Sequence, residues 1–176
     1  MAASASSGEA SKVRVGILGA SGYTGAELVR LLLRHPAVRI DALTAERQAG
    51  KPMAEVFPHL GGYGLPDLVK IEQLHFDKLD VVFCALPHGT TQEIVAGLPH
   101  HLKVVDLSAD FRLADPAEYA HWYGHEHRAL EVQKEVAYGL TEFNREGVRK
   151  ARVVANPGCY PTCSLTPLLP LLLGEL

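Results

Sequence analysis

Cysteine is scarce in this chain of 176 residues: Cys84, Cys159 and Cys163 form an odd, sparse set. Such a set does not build a disulfide framework and fits a reducing compartment. No block of lysine or arginine stands out and the net charge is −3, so nucleic acid and anionic membranes are poor partners. The longest apolar stretch, Leu165 to Leu173, holds Pro167 and Pro170; it falls short of the about 20 residues a bilayer span needs. No internal repeat or linker is visible.

What is there suffices for one domain. Hydrophobic residues make up 47% of the chain, and a domain of this size buries roughly 70% of its unfolded surface. Residues 1–12 begin MAASASSGEAS and are expected to form a disordered lead-in. They lack the Arg and the length of a whole transit peptide, although a remnant of one fits.

Beyond the lead-in, strands and helices alternate. Val13–Leu18 reads as a strand, followed by a glycine turn and a helix over Ala26–Arg34 that Pro36 ends. Val38–Leu43 reads as the second strand, giving a βαβ unit with parallel strands. Glu46–Gly64 is expected to be loop. Asp80–Ala85 and Lys103–Leu107 read as buried strands, with a helix over Thr90–Leu98 between them. Ser108–Leu130 is expected to be a long surface loop with short helical pieces. A helix over Thr141–Lys150, a strand over Arg152–Ala155 and a Leu-rich helix from Cys159 complete the pattern. The alternation implies a doubly wound α/β fold with a mostly parallel, Rossmann-type sheet. Ligands in such folds sit beyond the carboxyl ends of the strands. Gly19–Gly25, Leu86–Gly89, Ser108–Arg112 and Asn156–Thr162 all fall there.

Gly19, Gly22 and Gly25 form G-x-x-G-x-x-G between a strand and a helix. Glycine allows close backbone approach, and the helix N-terminus offers N–H groups and partial positive charge to a pyrophosphate. Ser21 and Thr24 add hydroxyl donors. Gly16 is expected to serve close helix packing. At the end of the second strand, Thr44 and Arg47 suit an NADP 2′-phosphate, because Arg offers a fork of donors. Glu46 keeps NAD open, since an acidic residue there binds the ribose 2′-OH, and Arg47 also reads as a solvated charge.

Asn156-Pro157-Gly158-Cys159 places a thiol at the start of a helix, where the dipole favours thiolate. A nucleophile and a small buried hydrophobe both fit Cys159. Cys84 reads as core, and Cys163 as packing along its helix. The nine histidines include His121, His125 and His127 in one loop, where a polar surface is the default and no metal-ligand spacing is complete. His88 follows a strand and fits a nicotinamide pocket.

Taken together, VGILGASGYTG, LPHGT, DLSADFR and ANPGCYPT resemble the N-acetyl-γ-glutamyl-phosphate reductases of arginine biosynthesis, from about Val13 to the C-terminus. The stretch around Tyr138–Glu142 resembles the plant, plastidic members. The resemblance implies NADPH-dependent reduction of an acyl phosphate through a thioester on Cys159. It implies a cofactor site at Gly19, Ser21, Gly22, Tyr23, Thr24, Gly25, Thr44, Arg47, Leu86, Pro87 and His88. Ser108 and Arg112 would lie at the substrate phosphate or the nicotinamide, and Asn156 at the substrate; a surface ion pair of Arg112 with Asp110 or Asp115 is the competing reading. Residues 13–156 would be the NADP-binding domain, and 157–176 the start of a truncated catalytic domain. The chain would then bind cofactor but lack a second half carrying a catalytic His, and its bare leucine helix, which must be buried, would be uncovered. Also implied are a small-molecule substrate, no metal, a homo-oligomer at full length, and the plastid stroma, with the cytoplasm as alternative. An aspartate-semialdehyde dehydrogenase and a non-catalytic dinucleotide sensor are the rival readings.

Overall fold

Val13–Leu18, with β-branched Val13, Val15 and Ile17, makes an interior strand, β1, and the glycine turn feeds α1 (Tyr23–Leu32) and then β2 (Val38–Thr44). This computed structural model describes residues 12–174; residues 1–11 of the expected lead-in lie outside them. After β2 come a four-residue helix, α2 (Met53–Val56), and a two-residue strand, β3 (Leu68–Val69). The chain continues through β4 (Val81–Cys84), α3 (Thr91–Ala96) and β5 (Lys103–Asp106). Helices α4 (Pro116–Tyr123) and α5 (Leu130–Gln133) precede β6 (Val136–Tyr138), α6 (Thr141–Lys150), β7 (Val153–Ala155) and α7 (Cys159–Leu173).

The seven strands form one sheet in the order β3-β2-β1-β4-β5-β7-β6. Every pair in it is parallel, a stricter outcome than the mostly parallel sheet expected. The order in which successive strands are added reverses between β1 and β4, which is where such folds open a ligand crevice. Successive residues of a strand face opposite sides. Val15 and Ile17 accordingly pack with Val29, Leu43 and Leu68, while Leu18, Val82, Cys84 and Val104 pack with Leu98 and Phe111.

Several expectations are corrected. Helix α1 starts three residues early, at Tyr23, because Gly22 in extended conformation serves as its cap. The Glu46–Gly64 loop contains α2; in Ser108–Leu130 the short helical piece expected is α4, whose Asp115 carboxylate accepts from the Ala117 N–H at 2.7 Å. Strands β3 and β6 were not expected at all; each is too short to show a period. Gly16 makes room for the Leu79 side chain rather than for a helix: an added Cβ would lie 2.7 Å from Leu79 Cδ1. The leucine helix α7 has no buried residue, with Leu171 62% and Leu172 78% exposed, because nothing in the described chain packs over it. Among the described residues no helix is long and apolar enough to cross a membrane.

Candidate functional site

A cleft of about 370 Å³ opens beyond β1, β2 and β4, lined by Gly19, Ser21, Gly22, Thr44, Ala45, Glu46, Ile71, Ala85, Leu86 and Pro87. The three glycines of the turn do different jobs. Gly19 has φ +81°, and a Cβ on it would collide with the Ala85 carbonyl. At Gly25 a Cβ would lie 2.5 Å from the Gly19 oxygen and 2.6 Å from Ala20 Cα, so the turn and α1 touch backbone to backbone. Gly22 is different: its Cβ would meet only the Gly19 oxygen, at an ordinary 3.6 Å. The protein's own packing does not demand glycine there, yet the position lines the cleft. No side chain caps α1, so its first-turn N–H groups have no side-chain partner, the arrangement that suits a helix N-terminus to an anion. Tyr23 and Thr24 stand exposed on that turn, Tyr23 edge-on to Phe57.

The residues chosen for the 2′-phosphate part company. The Thr44 hydroxyl is buried and accepts the Gly19 N–H at 3.1 Å, so it fixes the turn. Arg47 is exposed and does not line the cleft, whereas Glu46 does. Sequence reasoning missed Lys70, whose ammonium pairs with Glu46 at 3.1 Å; it was hidden by the failure to see β3.

The loops after β4 and β5 are locked together by a buried polar network. Asp110, fully buried, accepts the Gly89 N–H at 2.7 Å and the Thr91 N–H at 2.9 Å, with the Tyr119 hydroxyl at 3.3 Å. It thereby caps α3 and holds the Leu86–Gly89 loop. His88 accepts the Ala109 N–H on Nδ1 at 2.8 Å, which leaves Nε2–H as an outward donor. Ser108 is not an open substrate contact: its hydroxyl donates to Asp106 at 2.7 Å and accepts from the Asp110 N–H at 3.0 Å. His127 departs from the polar loop expected. It is buried against Phe111 and Tyr119, donates to Gln133 and accepts the Ala129 N–H, and burial lowers its pKa.

Burial raises the Asp106 carboxyl to a pKa of about 6, against the bonds from Ser108 that stabilise its anion. A carboxyl raised in the fold contributes stability that is present below its unfolded value, about 3.9, and lost as pH rises through the folded one. About two units correspond to about 3 kcal/mol. The chain should therefore lose stability between pH 4 and pH 6 by a component that Asp106→Asn removes. Urea melts of both proteins across that window check this; parallel pH profiles would refute it.

At the next strand end, Cys159 is exposed in the first turn of α7, just beyond β7. Cys84 is buried in β4, and burial drives its thiol pKa well upward, so it is inert packing as expected. Cys163 is exposed, with its thiol on the Tyr160 carbonyl, and does not pack into anything. Arg112 forms no ion pair with Asp110 or Asp115. Its Nε donates to the Asn156 carbonyl and its Nη2 to the Leu107 carbonyl, both at 2.9 Å. The Asn156 N–H in turn donates to the Asp106 carbonyl at 2.8 Å. Strands β4, β5 and β7 are adjacent, so these loops converge on one edge, with β7 three strand spacings, about 15 Å, from β1. Among the described residues no cluster of three His, Cys, Asp or Glu could hold a metal.

A family profile described as "Semialdehyde dehydrogenase, NAD binding domain" matches residues 14–151. The chain belongs to that family. Its relatives include the "Probable N-acetyl-gamma-glutamyl-phosphate reductase, chloroplastic" of Oryza sativa subsp. japonica, 60% identical over 94% of this chain and 40% of the relative. The N-acetyl-gamma-glutamyl-phosphate reductase of Afipia carboxidovorans is 62% identical over 93% of this chain and 48% of its own length. The chain thus spans less than half the length of these relatives. Among solved structures, aspartate semialdehyde dehydrogenase II of Vibrio cholerae superposes with a TM-score of 0.66 at 18% identity, over 93% of this chain and 43% of that one. An aspartate semialdehyde dehydrogenase with NADP from Candida albicans gives 0.61 at 22%, over 93% and 48%. These likenesses establish the fold of the semialdehyde dehydrogenase NAD-binding domain and agree with the Rossmann-type reading.

Proposed function

We propose that this chain carries the dinucleotide site and the nucleophile of an N-acetyl-γ-glutamyl-phosphate reductase. The observation that carries the proposal is the exposed Cys159 thiol at the start of α7, on the sheet edge that also bears the Gly22 cleft. In this reading Ser21, Gly22, Tyr23, Thr24 and Gly25 surround the pyrophosphate, and Leu86, Pro87 and His88 flank the nicotinamide. Cys159 Sγ attacks the γ-carbonyl of N-acetyl-γ-glutamyl phosphate, the C–O bond to phosphate breaks and phosphate leaves, giving a thioester. When bound, NADPH supplies the hydride that reduces it. Cys159 then leaves as thiolate and the semialdehyde is released. Arg112 and Asn156 frame this step, and Ser108 acts through Asp106. Residues 157–176 open the catalytic half of the longer protein, and the remaining length supplies the acid/base His and covers α7. A chain without it binds cofactor with little turnover, since general acid–base catalysis contributes typically about 10²–10⁴-fold.

The test is acyl capture. Incubation with N-acetyl-γ-glutamyl phosphate, quenched in acid, should leave one acyl group on Cys159 by peptide mass spectrometry, and limiting iodoacetamide should label Cys159 before Cys163. Acylation by aspartyl phosphate instead would favour the aspartate-semialdehyde branch that shares the fold. No acylation by either, or prior labelling of Cys163, would leave the non-catalytic sensor. The plant relatives extend the proposal to the plastid stroma. The word "chloroplastic" belongs to the Oryza and Arabidopsis proteins and not to bacterial relatives of equal identity, so import into isolated chloroplasts decides it. The proposal also includes a homo-oligomer at full length, read by light scattering.

A further inference from the structure

Helix α7 opens with two exposed thiols. Cys159 is its first residue, and Cys163 stands one turn further on. Residues four apart in a helix share a face, with Cα atoms about 6 Å apart and Cβ atoms about 5–6 Å apart. A disulfide accepts Cα atoms up to about 6.8 Å apart but needs Cβ atoms within about 4.5 Å. The shortfall is about 1 Å, and it falls where the helix yields most easily. No side chain caps α7, and Pro161 has no N–H to tie the first turn to the chain before it. The Cys163 thiol donates to the Tyr160 carbonyl at 3.3 Å, so it leans back over that first turn, as helical side chains do. The third thiol, Cys84, is buried in β4 and takes no part.

We infer that Cys159 and Cys163 form a reversible disulfide when the protein meets a peroxide, with Cys163 as the thiol that preserves the nucleophile. The inference rests on the proposed role of Cys159 as a reactive sulfur. The Cys159 sulfur attacks the O–O bond of the peroxide. One oxygen stays on sulfur as a sulfenic acid and the other leaves as water or alcohol, so sulfur is oxidised by two electrons and the peroxide is reduced. The Cys163 sulfur then attacks the sulfenic sulfur: the S–S bond forms, the S–O bond breaks, and the hydroxyl leaves with the Cys163 proton as water. A dithiol restores both thiols by exchange and is itself oxidised to a disulfide. The oxidant has to reach only Cys159, as the acyl phosphate must. Cys163 meets the sulfenic acid within its own helix, whatever covers the leucines beyond it. Without Cys163 a second peroxide carries Cys159 on to sulfinic acid, which thiols do not reduce. The pair thus halts acyl transfer under oxidation and keeps it recoverable.

Graded hydrogen peroxide, followed by iodoacetamide and peptide mass spectrometry with and without dithiothreitol, tests the inference. Both thiols fall in one tryptic peptide, since no Lys or Arg follows Arg152. In the wild type that peptide should lose two hydrogens and both alkylation sites together, and dithiothreitol should restore both sites along with acyl capture. Cys163→Ser should capture the acyl group like the wild type before peroxide. At doses from which the wild type recovers, it should instead accumulate sulfinic acid on Cys159 and lose acyl capture for good. Dimedone should trap a sulfenic acid on Cys159 in Cys163→Ser and far less of it in the wild type. If Cys163→Ser recovers as fully as the wild type, or if the wild type yields only sulfinic acid or a disulfide-linked dimer, the inference is wrong while the nucleophile stands. If Cys159 takes neither acyl group nor peroxide, the proposed function fails and takes the inference with it. A disulfide within the peptide of a chain that no acyl phosphate labels would sustain the inference and sink the proposed function.

Discussion

Gly22→Val should abolish NADPH binding while the domain melts within a few degrees of the wild type. Gly25→Val should instead unfold it. The two residues belong to the same motif and look equivalent in sequence, so the contrast is a direct test of the cleft. Around Gly22 an added Cβ has room: it touches only the Gly19 oxygen, at 3.6 Å. Its branches would project into the cleft that Gly19, Ser21 and Gly22 line with Leu86 and Pro87. A pyrophosphate approaching the N–H groups of the first turn of α1 would then meet methyl groups, and the contact that fixes it would be lost. At Gly25 the added atom lies 2.5 Å from a carbonyl oxygen and 2.6 Å from an α-carbon, both backbone. Neither can yield without prising α1 off the turn, at a cost of about 3 kcal/mol or more. Thermal melts and fluorescence titration separate the outcomes. NADPH binding by a folded Gly22→Val protein would remove the cleft from consideration as the dinucleotide site.

The fold was legible where elements were long and their signals local. The apolar runs of β1, β4 and β5 and the strand–turn–helix order placed the sheet and its ligand edge. Even α4 carried a local signal, Asp115-Pro116 at one end and Gly124 with φ +76° at the other, the usual grammar of a capped helix. What failed to show was set by distance along the chain. Strand β3 has only two residues and no period, so Lys70 went unnoticed beside Glu46 although the sheet sets them face to face. Asp110 reads as one more acid in a loop. Its partners, Gly89 and Thr91, lie 21 and 19 residues away, and only the adjacency of β4 and β5 joins them. Ser108 and Thr44 were read as open hydroxyls because sequence reveals a donor's presence, not the bond that already occupies it. Cys159 was legible for the opposite reason: the Pro-Gly turn, the thiol and the helix that exposes it are consecutive.

Arg112→Lys should slow acyl transfer to Cys159 by about 100-fold, the scale expected when a reacting group is misplaced by about 1 Å, with little effect on NADPH binding. The guanidinium bridges two loops that share no other side-chain bond of this kind: Nε holds the Asn156 carbonyl and Nη2 the Leu107 carbonyl. Asn156 lies three residues before the thiol, so the bridge fixes where α7 begins. A planar fork reaches both carbonyls at once; an ammonium, a single point charge on a flexible four-carbon stem, does not keep both directions. The remaining Nη1 lies 3.1 Å from where a Cβ on Gly158 would stand, a tight contact, so the space at Gly158 is set by the same guanidinium. Gly158→Val should therefore push Arg112 aside and lower the acylation rate in the same sense, without touching any charge. A residue that only gripped the substrate's phosphate would behave differently: substrate affinity would fall while the saturated rate held, and Gly158→Val would not mimic it. Acylation rates against substrate concentration, read by mass spectrometry at Cys159, distinguish the two. A saturated rate unchanged in Arg112→Lys would show that the bridge does not position the nucleophile.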